Sequence, residues 1–143
     1  MIKKIFLLML ISVASLVASE ISWAKDYTSG MKQAKELNKP VLFIYSRHTC
    51  KYCVILDETT LKDKRVVKAL NKDYISIVSY TDENDYTPRE ILSQSRGTPA
   101  IWFLLPSGQP MYAPIPGAIG AEQFLEALSI VKTEFDTINN TKK

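Results

Sequence analysis

Cysteine and histidine are scarce in this 143-residue chain, which has two cysteines, Cys50 and Cys53, and one histidine, His48. Two cysteines are too few to staple a disulfide-scaffolded secreted domain. Structural zinc usually takes four protein ligands, and His48, Cys50 and Cys53 offer at most three, so no metal is expected. Covalent haem attachment needs a histidine directly after the second cysteine, and Val54 stands there. Repeats, low-complexity tracts and linkers are absent from the sequence, which leaves one domain. The apolar run from Ile5 to Val17 ends before Glu20, short of the roughly 20 residues that a membrane span requires. No cysteine follows that run, which excludes a cysteine-linked lipid anchor.

What the N-terminus does have is the layout of an export signal. Met1-Ile2-Lys3-Lys4 is positive, the apolar run follows, and the small residues Ala18 and Ser19 close it. Cleavage is expected after Ser19, with Ala24 as a second option. This makes residues 1–19 a signal peptide and residues 20–143 a single exported soluble domain with a short polar tail. Loss of Lys3 and Lys4 leaves 16 basic against 15 acidic residues, a net charge of about +1. Such a balance carries no sign of nucleic-acid or membrane-surface binding. Roughly 124 residues remain, enough for a two-layer core.

The mature chain alternates helical and extended patterns. Thr28 to Leu37 reads as a helix with Met31, Ala34 and Leu37 on one face, ended by Asn38-Lys39-Pro40 because a helix does not readily run into proline. Val41 to Tyr45 is a continuous apolar run, as in a strand buried on both faces. A helix starts near Cys50, and Lys64 to Asn71 forms another amphipathic segment. Tyr74 to Tyr80 alternates as a strand, and Pro88 opens a short helix. Ala100 to Leu105 reads as a strand, Pro106-Ser107-Gly108-Gln109 as a turn, and Met111 to Ile115 as its hairpin partner. Ala121 to Phe135 is the last helix. The order predicts an α/β fold, a central mixed β-sheet flanked by helices.

Cys50-Lys51-Tyr52-Cys53 carries the chemistry. A strand that leads two thiols into the first turn of a helix places residues three apart on one face, compatible with disulfide geometry. Cys50 would sit among unpaired N–H groups at the positive helix end, which favours the thiolate, the nucleophile of disulfide exchange. Lys51 and His48 flank it. Lys51 is charged and can lower the thiol pKa; His48 either does the same or is an exposed neutral loop residue, given an ordinary pKa of about 6.5. Tyr52, between the thiols, either contacts substrate or packs on its helix. Trp102 and Phe103 are neighbours in a strand and should face opposite sides of the sheet.

Lys39-Pro40-Val41, Cys50-Lys51-Tyr52-Cys53, Gly97-Thr98-Pro99 before an apolar strand, and Pro106-Ser107-Gly108 together resemble the thioredoxin fold over almost the whole mature chain. Trp23, the segment Ala34 to Pro40, and Thr60-Leu61-Lys62-Asp63 followed by Val66 resemble a subgroup. This is the thioredoxin-like C-terminal domain of the bacterial transmembrane reductant conductor DsbD, with its small periplasmic relatives. Trp23 as a landmark of that domain favours cleavage at Ser19 over Ala24.

The resemblance implies a cis Pro99 facing the cysteine pair and Thr98 offering backbone groups to a bound protein chain. It also exposes a departure. Thioredoxins commonly bury an acid six residues before the first cysteine, and Ile44 stands there. Asp57, four residues after Cys53 and on the same helical face, either replaces that acid, as its spacing in the DsbD-like domain suggests, or is a solvated surface residue. The expected activity is periplasmic protein thiol–disulfide exchange: Cys50 forms a mixed disulfide and Cys53 resolves it. Asp57 then assists, while Lys51, Tyr52, Thr98 and Pro99 border the substrate. No cofactor is expected beyond the redox-active Cys50–Cys53 pair, and no nucleic acid. The partners would be protein thiols and disulfides and a membrane-embedded electron donor, and the chain a monomer. Reduction of protein disulfides is the first reading. The alternatives are an isomerase or oxidase of exported proteins, and a non-catalytic binding module of the same fold.

Overall fold

The computed structural model describes residues 19–142; the signal peptide expected over 1–19 lies, except for Ser19, outside them. Helix α1 (Tyr27–Leu37) starts at an Asp26 N-cap that forms a reciprocal capping box with Ser29. It stops at Asn38, which takes the left-handed conformation at φ 48°. Strand β1 (Val41–Ser46) follows, then α2 (Lys51–Glu58), a single 3-10 turn at Thr60–Lys62 and α3 (Lys64–Asp73). Strand β2 (Ile75–Tyr80) leads through a second 3-10 turn at Thr81–Glu83 to the short α4 (Arg89–Gln94). Strands β3 (Ala100–Leu104) and β4 (Ile115–Pro116) precede the long α5 (Ala121–Thr141).

The four strands are ordered β2-β1-β3-β4. Strand β1 runs parallel to β2 and antiparallel to β3, which is antiparallel to β4. The sheet is therefore mixed, as the alternating pattern predicts. Side chains alternate across it. Leu42, Ile44, Ile101 and Phe103 face α2, α3 and α5, where they meet Leu56, Val66, Leu70, Phe124 and Leu128. Val41, Phe43 and Trp102 face the other layer and meet Met31 and Ala34 of α1 and Ile91 of α4. Trp102 and Phe103 thus lie on opposite faces, both buried.

Two elements depart from the sequence-based expectation. The hairpin strand expected over Met111–Ile115 shrinks to Ile115–Pro116, preceded by a lone Leu104–Pro110 bridge. Pro110, Pro114 and Pro116 lack the N–H that a ladder needs, so the return segment pairs only in short pieces. The last helix runs six residues past Phe135 to Thr141. No proline or glycine stops it, and Thr133 and Thr137 donate their hydroxyls back to carbonyls one turn earlier, so the threonines are accommodated within the helix.

The fold matters to function at one end of the two central strands. The β1–β3 ladder closes at the Tyr45–Ala100 pair. Ser46, the last residue of β1, and Pro99, just before β3, therefore lie next to the end of that ladder, and the segments beyond them carry Cys50 on one side and Thr98 on the other.

Candidate active site

Cys50 is the N-cap of α2. Strand β1 ends at Ser46 and a turn over residues 47–50, closed by the Cys50 amide donating to the Arg47 carbonyl at 3.3 Å, leads into the helix, with Cys53 one turn inside. Cys53 is 1% exposed, whereas Cys50 is half-buried and reaches the surface. Both are free thiols. The Cys53 amide donates to Cys50 Sγ at 3.2 Å, and Cys50 Sγ–H donates to the Thr98 carbonyl at 3.3 Å.

Electrostatics separates the two thiols. Burial opposes the Cys50 thiolate, but it is outweighed by hydrogen bonding from the Cys53 thiol, the Thr98 side chain and the amides of Cys53 and Tyr52. Together these hold Cys50 below the ordinary thiol pKa. Burial pushes Cys53 up, and its hydrogen bond to Cys50 adds to this; Ser46, Thr98 and the Arg47 amide pull weakly the other way. The thiolate is thus favoured at the outer sulfur and disfavoured at the inner one. An exposed nucleophile backed by a buried partner is what two-step disulfide exchange requires.

The expected neighbours are distributed unevenly. The Thr98–Pro99 peptide is cis, with Pro99 buried and Thr98 half-buried. Beside them a cleft of about 320 Å³ is lined by Gln94, Arg96, Thr98, Pro99, Pro114 and Pro116. Tyr52 is 58% exposed, and Val54 and Ile55 of the same helix are exposed apolar side chains as well. The Lys51 ammonium lies 5.9 Å from the Tyr52 ring centroid, a cation–π contact. Asp57 is half-buried and lines a second cleft with Trp23, Leu61 and Tyr80. Burial raises its carboxyl pKa and the nearby Glu58 adds to this, while His48 and Lys62 partly offset them.

His48 is exposed, as one of its two readings has it, but its ring is held. Its amide donates to Asp82 Oδ2 at 3.0 Å and Nδ1 lies 3.1 Å from Asp82 Oδ1. Nε2 lies 3.5 Å from Glu83 Oε1. The ring stacks on Tyr80 with centroids 3.8 Å apart. His48 therefore ties the loop before Cys50 to the turn after β2. Tyr80 itself is raised by burial first and then by Asp57, with Glu83 and Cys53 also contributing. Ser46, Tyr80 and Asp82 are site residues that sequence reasoning missed. Ser46 alone had a local signal, a serine at the buried end of an apolar strand. Tyr80 and Asp82 are more than 30 residues from His48 in the chain and are brought in only by the parallel β1–β2 pairing.

Known proteins resemble this chain to different degrees. The chain matches the thioredoxin-like domain family over residues 27–132. Anterior gradient protein 2 of Xenopus laevis is 32% identical over 80 residues, which are 50% of this chain and 43% of that protein. The chain spans about half the length of the curated relatives it matches. Among solved structures, a DsbH oxidoreductase superimposes with a TM-score of 0.66 at 15% identity, covering 86% of this chain and 92% of that one. The C-terminal domain of Neisseria meningitidis DsbD, in its oxidised form, gives 0.55 at 20% identity, covering 71% and 89%. At such identities the likeness is one of fold.

Proposed function

The chain belongs to the thioredoxin-like family, and from that premise we propose that it is an exported thiol–disulfide oxidoreductase that reduces disulfides of other proteins. The observation that carries this reading is the division of labour in the pair. Cys50 caps α2 at the surface with its pKa held down, and Cys53 lies buried one turn behind it. In the reducing direction the Cys50 thiolate attacks one sulfur of a client disulfide, forming a mixed disulfide and releasing the client's first thiolate. Cys53 then attacks Cys50 Sγ, releasing the second client thiolate and closing Cys50–Cys53. Two electrons pass to the client, and the protons of the two cysteines balance those gained by its thiols.

The open cleft beside Thr98 and Pro99 and the exposed apolar side chains of α2, Tyr52, Val54 and Ile55, suit an extended polypeptide better than a small molecule. Residues 1–19 act as the export signal in this reading, which puts the work in the periplasm. The spent disulfide is recharged by a membrane-embedded dithiol donor. The DsbD-like landmarks of the sequence favour reduction over isomerisation or oxidation, and Asp57 takes the role of the acid absent at Ile44.

Replacing Cys53 by Ser should stop exchange at the mixed disulfide. Expressed in its own host, the variant should accumulate reducible covalent complexes that include a membrane protein. Complexes with many secreted multi-cysteine clients and no membrane donor would instead favour an isomerase. No complexes at all, with the protein exported and folded, would leave a non-catalytic binding module.

A further inference from the structure

Ser46 ends β1 on the face that looks toward α2. Leu42 and Ile44, two and four residues earlier on that face, belong to the same packed cluster as Leu56 of α2. The Ser46 hydroxyl therefore points beneath the first turns of α2, where Cys53 is buried. It is 1% exposed, and its Oγ has no hydrogen-bond partner among the described residues. A buried hydroxyl left unpaired is disfavoured, and an alanine here would fill the same apolar corner without that penalty. Ser79, the buried serine at the same end of the neighbouring strand β2, makes hydrogen bonds with Thr87 and the 85–86 carbonyls.

We propose that Ser46 is a positioning residue for the second step of exchange, its hydroxyl donating a hydrogen bond to Cys53 Sγ as that sulfur becomes the attacking thiolate. The inference rests on the assignment of Cys50 as attacking thiol and Cys53 as resolving thiol. Ser46 keeps its own proton throughout. Cys53 loses its proton, its sulfur forms a bond to Cys50 Sγ, and the departing client thiolate takes up a proton overall. Ser46 is also the first side chain that favours the Cys53 thiolate against burial, so its hydroxyl lies within reach of that sulfur although no hydrogen bond is formed between them in the resting dithiol. The titratable groups at this corner are Cys50 and Asp57 from α2, Tyr80 from β2 and His48 from the connecting loop. None is supplied by β1, so Ser46 is the polar group which that strand contributes.

The test follows a symmetric aromatic disulfide with a chromogenic thiol in single turnover. Cys50 attack releases the first thiol and Cys53 resolution the second. In Ser46→Ala the first release should be unchanged. The second should slow by about tenfold at neutral pH, the size expected for losing a hydrogen bond to a charged group, and its rise with pH should move upward. Ser46→Thr should restore both and the isosteric Ser46→Val should not; this pair decides the matter even if the alanine variant folds poorly. An unchanged second release and pH profile in folded Ser46→Ala, or equal behaviour of the Thr and Val variants, would overturn the proposal. So would equal slowing of both releases, which would mark general distortion. A parent protein that releases no second thiol would instead overturn the two-thiol assignment on which the inference stands.

Discussion

The amide of Cys53 points at the sulfur of Cys50 across 3.2 Å. The residue that completes the disulfide thus also supports the thiolate that opens the reaction. The same turn buries Cys53 and leaves it without comparable help, so the two thiols of one motif are pushed in opposite directions. Alkylation followed by peptide mapping across pH should show Cys50 modified first, with an apparent pKa below that of an ordinary cysteine. Cys53 should react only at higher pH. Modification of Cys53 ahead of Cys50 would reverse the roles.

Asp57 links stability to pH in a direction opposite to that of most carboxylates. Its pKa is raised because burial disfavours the charged form. The stabilising contribution is full below the unfolded pKa of about 3.9 and is lost as pH rises through the folded value. Asp57→Asn should therefore be more stable than the parent at neutral pH, and the gain should vanish in acid. Urea unfolding at several pH values reads this. If Asp57 moves the Cys53 proton, the same variant should slow resolution by about tenfold or more while sparing the attack by Cys50. Equal resolution rates would reduce it to a residue of the cleft wall.

Asp82 shows the ordinary sign. Burial opposes its charge, but the His48 ring and the amides of His48 and Asp82 itself hold its pKa down. Its support for the fold is present above the unfolded carboxylate pKa and fades as pH falls through the folded value. Asp82→Ala should free the His48 amide and speed its hydrogen exchange several-fold, leaving exchange in the core of β1 unchanged. Unaltered exchange at His48 would mean that the Tyr80 stacking alone holds the loop.

Gly30 tests the packing of α1 on the sheet. Glycine to alanine inside a helix usually gains about 1 kcal/mol. Here an added Cβ would lie 2.5 Å from Ile77 Cδ1 and 2.6 Å from its Cγ1, and Ile77 is buried in the sheet. Gly30→Ala should lose about 1–3 kcal/mol through overpacking, as chemical denaturation would measure. A stabilised variant would show that α1 can slide away from β2.

Much of this molecule was legible in the chain because its signals are local. Val41 to Tyr45 and Ala100 to Leu104 are continuous apolar runs, and they are the buried central strands. Asn38 and Pro40 end α1 where their backbone preferences require it. The cysteine pair marks the start of α2 by chemistry as much as by pattern. What was not legible depends on contacts between distant residues or on missing backbone donors. The prolines after Gln109 break a hairpin that the apolar pattern suggested. The His48 ring is held by Asp82 and Tyr80, which reach it only through parallel pairing of β1 and β2. The orphaned Ser46 hydroxyl shows itself only once the face of β1 is known.

The most direct measurement is the redox equilibrium of the Cys50–Cys53 couple against defined thiol–disulfide buffers. A reductase should have its midpoint near the thioredoxin value of about −270 mV and should return fully to the dithiol on reduction. A midpoint at or above about −180 mV, the range of protein disulfide isomerase, would contradict the reducing direction. A pair that does not exchange with the buffers would contradict the redox function altogether.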